Sequence, residues 1–293
     1  MRSPSARKRA PRAAIALLGA AAACPGVFAC HRVLDLDEPQ CRSDGECAER
    51  GFAAGTRCVD DYCRPDDSPW GCLGRVELPS AKGALVPFSL RVLDASANGP
   101  LPGATARLCA RIDPECLEPL SQPTRADAEG YANFSVLDNF DGYVEVEDPG
   151  FVKGLYYPQA SFIRRGGGRG PYVAAATPTT LAGLAVANEV MLDPTLGTVL
   201  LYAVDCRGRP AAGVRFESDA SRPNTSSFYL INRVPDKDAA ATEAQLGGGG
   251  FINAPTGQNV FSAFVNETDQ AIGRASLAVR PGQLTYAVLE PSP

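Results

Sequence analysis

One histidine and ten cysteines bound the chemistry open to this chain. Nucleophilic triads need a base that titrates near neutrality, and histidine is the usual one. His31 is the sole candidate, near the N-terminus and remote from the body of the chain. Ser–His, Cys–His and histidine-ligated zinc catalysis are therefore not expected. Paired carboxylates can cleave glycosides without histidine. Asp138, Asp141, Glu145 and Glu147 crowd one stretch, but strand alternation places half of them on a solvated face. Arg164-Arg165-Gly-Gly-Gly-Arg169-Gly170 has the composition of a phosphate cradle, yet no Gly-Lys-Ser/Thr follows it, so it reads as a surface loop. Asp138-Asn-Phe-Asp141-Gly142 opens like a calcium loop, but Pro149 stands where the closing glutamate belongs. No catalytic residue, metal site or cofactor is expected. Tyr156, Tyr157 and Phe162 suit an aromatic binding patch and sandwich core equally well.

The cysteines have other work. Arg2, Arg7, Lys8, Arg9 and Arg12 precede an apolar run from Ala13 to Ala23 that is too short to span a membrane. This is the pattern of an export signal. Val27-Phe28-Ala29-Cys30 resembles the lipobox of bacterial lipoproteins, in which a diacylglyceryl group is attached to the cysteine thiol. Phe28 is bulky for that motif, and Ala21-Ala22-Ala23-Cys24 is a rival junction lacking the leading Leu or Val. Parity favours Cys30: with it lipidated, eight cysteines remain, an even number. The expected product is an exported lipoprotein held by Cys30 in a membrane, the outer one of a bacterial envelope. Arginine outnumbers lysine 24 to 4, a skew that suits a GC-rich bacterial genome. Without residues 1–29 the chain keeps 23 basic and 33 acidic residues, a net charge of −10. That charge disfavours nucleic acid as a partner.

In an exported chain the remaining eight cysteines read as disulfides. Cys41, Cys47, Cys58 and Cys63 lie within a segment too short to bury a core, so they are expected to bridge among themselves. Of three connectivities, Cys41–Cys58 with Cys47–Cys63 is taken. Zinc is disfavoured because the spacing lacks CxxC pairs. Cys109 and Cys116 flank a turn at Asp113-Pro114 and suit a local clip. Cys72 and Cys206 are then left for each other, tying two distant segments together.

Around these fixed points the chain alternates. Phe88, Leu90 and Val92 interleave with Ser89 and Arg91, and Ala132, Phe134 and Val136 share a face. Period-two runs broken by Gly, Pro and Asp argue antiparallel β-sandwiches with one wet face per sheet. The stretch Asp205-Cys-Arg-Gly208-Arg-Pro210-Ala-Ala-Gly213-Val214 is a strand–turn–strand unit, with a fainter copy at Asn98-Gly-Pro-Leu-Pro-Gly103-Ala104. Pro178 to Asn188 has helical composition, with Thr179 or Thr180 as cap. Ala275–Arg280, Pro281-Gly282 and Leu284–Leu289 read as a closing hairpin. The expected organisation is signal 1–29, tether 30–40, disulfide-rich module and linker 41–69, first sandwich 70–177, bridging helix 178–195 and second sandwich 196–293.

Three motifs in order carry a family resemblance. They are Asn98-Gly-Pro-Leu-Pro-Gly103-Ala, Thr124-Arg-Ala-Asp127-Ala-Glu-Gly130-Tyr-Ala-Asn-Phe134 and Phe140-Asp-Gly142-Tyr143-Val-Glu-Val146. Together they resemble the carboxypeptidase regulatory-like, transthyretin-like β-sandwich. The second half is similar at Gly208-x-Pro210-x-x-Gly213 and Thr242-x4-Gly247, with an insertion around Ser218 to Ala241. The resemblance implies an all-β fold of two tandem transthyretin-like or Ig-like sandwiches. It also implies an accessory, structural or binding module, and which protein or polysaccharide ligand it takes is not readable from the sequence. The alternative is an enzyme accessory or inhibitor module acting on envelope polymers. A pocket with converging acids would favour enzyme chemistry, and a flat aromatic or polar face would favour binding.

Overall fold

The computed structural model describes residues 41–50, 56–65 and 68–293. The signal segment, the tether and Cys30 lie outside the described residues. The chain divides into two compact units, one reaching to Asp66 and one running from Asp67 to Pro293. No helix among the described residues is long and apolar enough to cross a membrane.

The first unit is held by sulfur. A short helix α1 (Asp44–Glu49) precedes a hairpin of β1 (Thr56–Val59) and β2 (Tyr62–Pro65). Asp60 and Asp61 turn the hairpin with φ of 51° and 65°, the left-handed geometry a two-residue loop requires. Cys41 bonds Cys58, and Cys47 bonds Cys63. Cys41 and Cys47 are its most buried apolar side chains. The bridges stand in for the core such a short segment cannot build.

The second unit is β-rich. Its strands are β3 (Leu85–Asp94), β4 (Gly99–Pro100), β5 (Thr105–Ala110), β6 (Thr124–Arg125), β7 (Tyr131–Leu137), β8 (Gly142–Glu147), β9 (Gly154–Tyr157) and β10 (Gly168–Ala175). Helix α2 (Ala160–Arg164) lies between β9 and β10. After α3 (Pro178–Ala187) come β11 (Gly197–Ala203), β12 (Val214–Ser218), β13 (Ser226–Ile231), β14 (Val234–Asp236), β15 (Gly248–Ala254), β16 (Gly257–Val265), β17 (Ala271–Val279) and β18 (Leu284–Leu289).

These strands repeat one plan. In the first sandwich β3 takes β7 as antiparallel neighbour and β10 as parallel neighbour, and β5-β8-β9 form the facing sheet. In the second, β11 takes β15 antiparallel and β18 parallel, and β12-β16-β17 face them. The turn hydrogen bonds repeat as well. Leu101 N–H donates to Val92 O, and Ala211 N–H to Ala203 O, both at 3.0 Å. Gly103 N–H donates to Ala126 O at 2.9 Å, and Gly213 N–H to Thr242 O at 2.8 Å. The partner of Thr242 is thus Ala126, two residues beyond the Thr124 that sequence similarity suggests.

The sandwiches are fused. Leu284–Ala287 of β18 pair in parallel with Gly154–Tyr157 of β9, joining both halves into a nine-stranded sheet, β14-β13-β15-β11-β18-β9-β8-β5-β6. The inserted segment supplies β13 and β14 at one end. Alternate residues of the shared strands enter different cores. Val144, Val146 and Tyr156 pack with Phe88, Leu90 and Val92. Tyr143, Leu155 and Tyr157 pack with Phe216 and Phe261.

Four expectations are corrected. Central strands of the shared sheet have no wet face: β9 and β15 are buried at every residue. Three strand pairs are parallel: in two the last strand of a sandwich returns beside its first, and in the third β18 joins β9 across the sandwiches. The closing hairpin is absent: β17 pairs with β16, and the Pro281-Gly282 turn carries the chain across to β18 in the other sheet. Finally, α3 is capped by Thr177, whose Oγ1 accepts from Thr180 N–H at 3.1 Å. A helix opening at Pro178 takes its cap from the residue just before it, Thr177, two residues ahead of Thr179 and three ahead of Thr180.

Candidate binding face

The four clustered carboxylates are all committed. Asp138 accepts from the amides of Lys82 (2.7 Å) and Gly83 (2.9 Å), and these bonds hold its carboxyl below the usual range. Asp141 pairs with Arg111, and Glu147 with Lys153 at 3.0 Å. Glu145 is only 1% exposed, because the segment after β17 covers that face of β8. It meets Arg107 Nε at 2.8 Å, Lys153 Nζ at 3.4 Å and the Arg280 guanidinium. Burial alone would raise its carboxyl. Hydrogen bonds from Arg280 and Arg107 outweigh burial and hold it below its ordinary value. A carboxylate clamped by three cations is a poor proton donor and a poor nucleophile, so no glycosidase pair forms here.

The same network locks the clip between Cys109 and Cys116. Arg280 donates to Pro114 O and to the Tyr143 hydroxyl, both at 2.6 Å, and Tyr143 donates to Asp113 O at 2.7 Å. Burial pushes the Tyr143 phenol up to about 12, so it remains a donor. Cys72 and Cys206 bond at a Cα separation of 5.8 Å and tie the start of the second unit to its repeat turn. The sulfurs of Cys41, Cys47 and Cys63 lie within 4.8 Å of one another, but each is spent in a disulfide. Tyr156 and Tyr157 are buried core residues, and Phe162 packs edge-on against Phe88 at 6.2 Å.

An open face lies on the outside of the β10-β3-β7 sheet. Phe88, Leu90 and Val92 point inward, so Ser89 and Arg91 point out. Strand register then builds rows across three strands: Arg169, Ser89 and Asn133 in one, and Tyr172, Arg91 and Tyr131 in the next. A bulge between Arg169 and Tyr172 keeps both on the outer side. Two guanidinium groups cover the Tyr131 ring, Arg169 at 5.1 Å and Arg91 at 5.5 Å from its centroid. Tyr172 is 52% exposed. Ser89 Oγ donates to Asn133 Oδ1 at 2.5 Å, leaving the Asn133 amide hydrogens facing out. Among the described residues, neither Arg91 nor Arg169 is in an ion pair. The face is aromatic and cationic, on a chain whose net charge is −5.

Sequence reasoning found Arg169 only as part of a glycine-rich loop and passed over Tyr131 and Tyr172. Their signal was the alternation of β3, which fixes Arg91 outward and, through register, its neighbours.

No protein-family model matches the chain, and no curated protein matches it. Among solved structures it is similar to the Bacillus anthracis TIE protein (10% identity, TM-score 0.25), aligning over 71% of this chain and 34% of that one. The chain thus spans about a third of that protein. It is also similar to the minor pilin of Streptococcus agalactiae (14% identity, TM-score 0.21, 71% and 98% covered). A third match is the major pilin subunit of Bacillus cereus (10% identity, TM-score 0.23, 71% and 69% covered). Scores this far below 0.5 leave the fold to be read from the chain's own strand order and register.

Proposed function

We propose that this is an exported bacterial envelope protein that binds its ligand without transforming it. It is held to a membrane through lipidated Cys30 and kept rigid by four disulfides. The finer kinship proposed is with carboxypeptidase regulatory-like sandwiches, on the strength of the repeated Gly-x-Pro-x-x-Gly turns. The observation that carries the binding reading is the Arg91–Tyr131–Arg169 stack beside exposed Tyr172. The apolar face of a tyrosine accepts the C–H face of a sugar ring. The planar guanidinium forks match carboxylates. An acidic polysaccharide satisfies both. A negatively charged protein would otherwise repel such a polymer, so the uncompensated arginines mark where it docks.

Affinity electrophoresis in gels cast with polygalacturonate, alginate or neutral dextran tests this. The protein should be retarded by the acidic polymers alone. The Arg91→Ala/Arg169→Ala double variant should run freely at unchanged melting temperature. Equal mobility in all three gels would reject the face as a glycan site.

A further inference from the structure

Beneath α3 lies a cleft of about 420 Å³ where the two sandwiches join. That volume falls within the roughly 300–1,000 Å³ of small-molecule sites. Leu200 of β11, Leu230 of β13 and Leu284 of β18 line it from the shared sheet, and Leu181 and Leu184 line it from α3. Its hydroxyl groups are already engaged. Tyr286 donates to Ala174 O, and Thr180 Oγ1 lies 2.9 Å from Thr177 Oγ1. One charged residue lines this otherwise apolar space, Arg233.

Arg233 is held there by its turn. Asn232 and Arg233 link β13 to β14 with φ of 51° and 67°. Two-residue hairpin loops of this geometry usually carry glycine second, and here an arginine bears the left-handed conformation instead. The acids around the turn have other partners. Glu243 accepts from Asn232 N–H at 2.7 Å, and Glu189 and Asp238 flank Lys237 at 3.6 and 2.9 Å. Among the described residues Arg233 has no ion-pair partner.

We infer that this cleft binds a single-chain fatty acid, with the hydrocarbon between α3 and the sheet and the carboxylate on the Arg233 guanidinium. Arg233 is exposed at the edge of the cleft, where its guanidinium can meet a carboxylate at the water boundary, whereas a compact polar metabolite would leave the leucines unmatched. The site is separate from the outer face of the β10-β3-β7 sheet and does not depend on it.

The test is displacement of dansyl-undecanoate from the full-length chain by dodecanoate and by dodecanol. Dodecanoate should displace the probe at concentrations roughly tenfold lower than the alcohol, the effect of one charge-assisted contact. Arg233→Gly should bring dodecanoate down to the alcohol's level with an unchanged or higher melting temperature, because glycine suits φ of 67°. Arg233→Lys should retain part of the preference. A diazirine-bearing dodecanoate should label peptides from α3 or from the β13–β14 hairpin. Absence of saturable displacement, equal affinity for acid and alcohol, acid binding untouched by Arg233→Gly, or label confined to other strands would each overturn the assignment.

Discussion

Gly130 and Gly247 hold the same place in the two sandwiches. Val92 N–H donates to Gly130 O at 2.8 Å, and Ala203 N–H donates to Gly247 O at 2.7 Å. Both glycines have positive φ, 84° and 61°. A Cβ on Gly130 would stand 2.5 Å from Val92 O, and one on Gly247 would stand 2.5 Å from Ala203 O. Each sandwich therefore clamps its first strand with a backbone too close to admit a side chain.

Gly130→Ala and Gly247→Ala should each lower stability by about 1–3 kcal/mol, since the residue is both strained and clashing. Gly103 and Gly213 share positive φ, 84° and 71°, but a Cβ there meets open space. Gly213→Ala should cost about 1 kcal/mol, from the backbone alone. Urea unfolding of the three variants ranks them. Equal losses in both classes would show that close approach adds nothing.

The Cys72–Cys206 bond closes a span of 134 residues. Chain-entropy arithmetic puts its contribution at up to about 5 kcal/mol, less whatever a compact denatured state retains. Because β9 and β18 share a sheet, the sandwiches should not come apart when it is removed. The Cys72→Ser/Cys206→Ser variant should melt at lower temperature in one calorimetric transition. Two resolved transitions would mean that the fused sheet does not couple the halves.

Glu145 makes acid stability depend on its ion cluster. Its carboxyl is depressed in the folded chain, so its contribution is present above the unfolded value near 4.5 and fades as pH falls below it. Glu145→Gln should lose about 3 kcal/mol at neutral pH, because Arg280 keeps a buried charge without its partner. It should also flatten the fall in melting temperature below pH 4.5. An unchanged slope would assign the acid sensitivity elsewhere.

Cys30→Ala should release the protein into the soluble fraction, since stable attachment needs the acyl chains that lipidation supplies. Fractionation of cells carrying the variant decides this. A variant fully retained in membranes would remove Cys30 as anchor.

Much of the fold was legible in the sequence because its signals are local. Gly-x-Pro-x-x-Gly turns, period-two runs at Phe88–Val92 and the spacing of cysteines each act within a few residues. Pairing between distant segments left no such trace. Glu145 alternates like a residue on a wet face, and nothing near it announces that Arg280 will cover it. Tyr286 and Tyr156 are register partners in strands whose sequences look self-sufficient. The outer face was illegible for the same reason: Arg91, Tyr131 and Tyr172 sit on three strands, and only register makes them neighbours.

The β9–β18 seam also orders events in time. Synthesis delivers a chain from its N-terminus, so the first sandwich can close its own sheets while β9 still lacks its outer neighbour. That neighbour is the final strand of the second sandwich, the last to arrive. Until then the first sandwich carries a bare row of amides and carbonyls, open to any passing extended peptide. A nascent or truncated product that ends before Leu284 is therefore a half-zipped intermediate, with the edge of β9 unpaired.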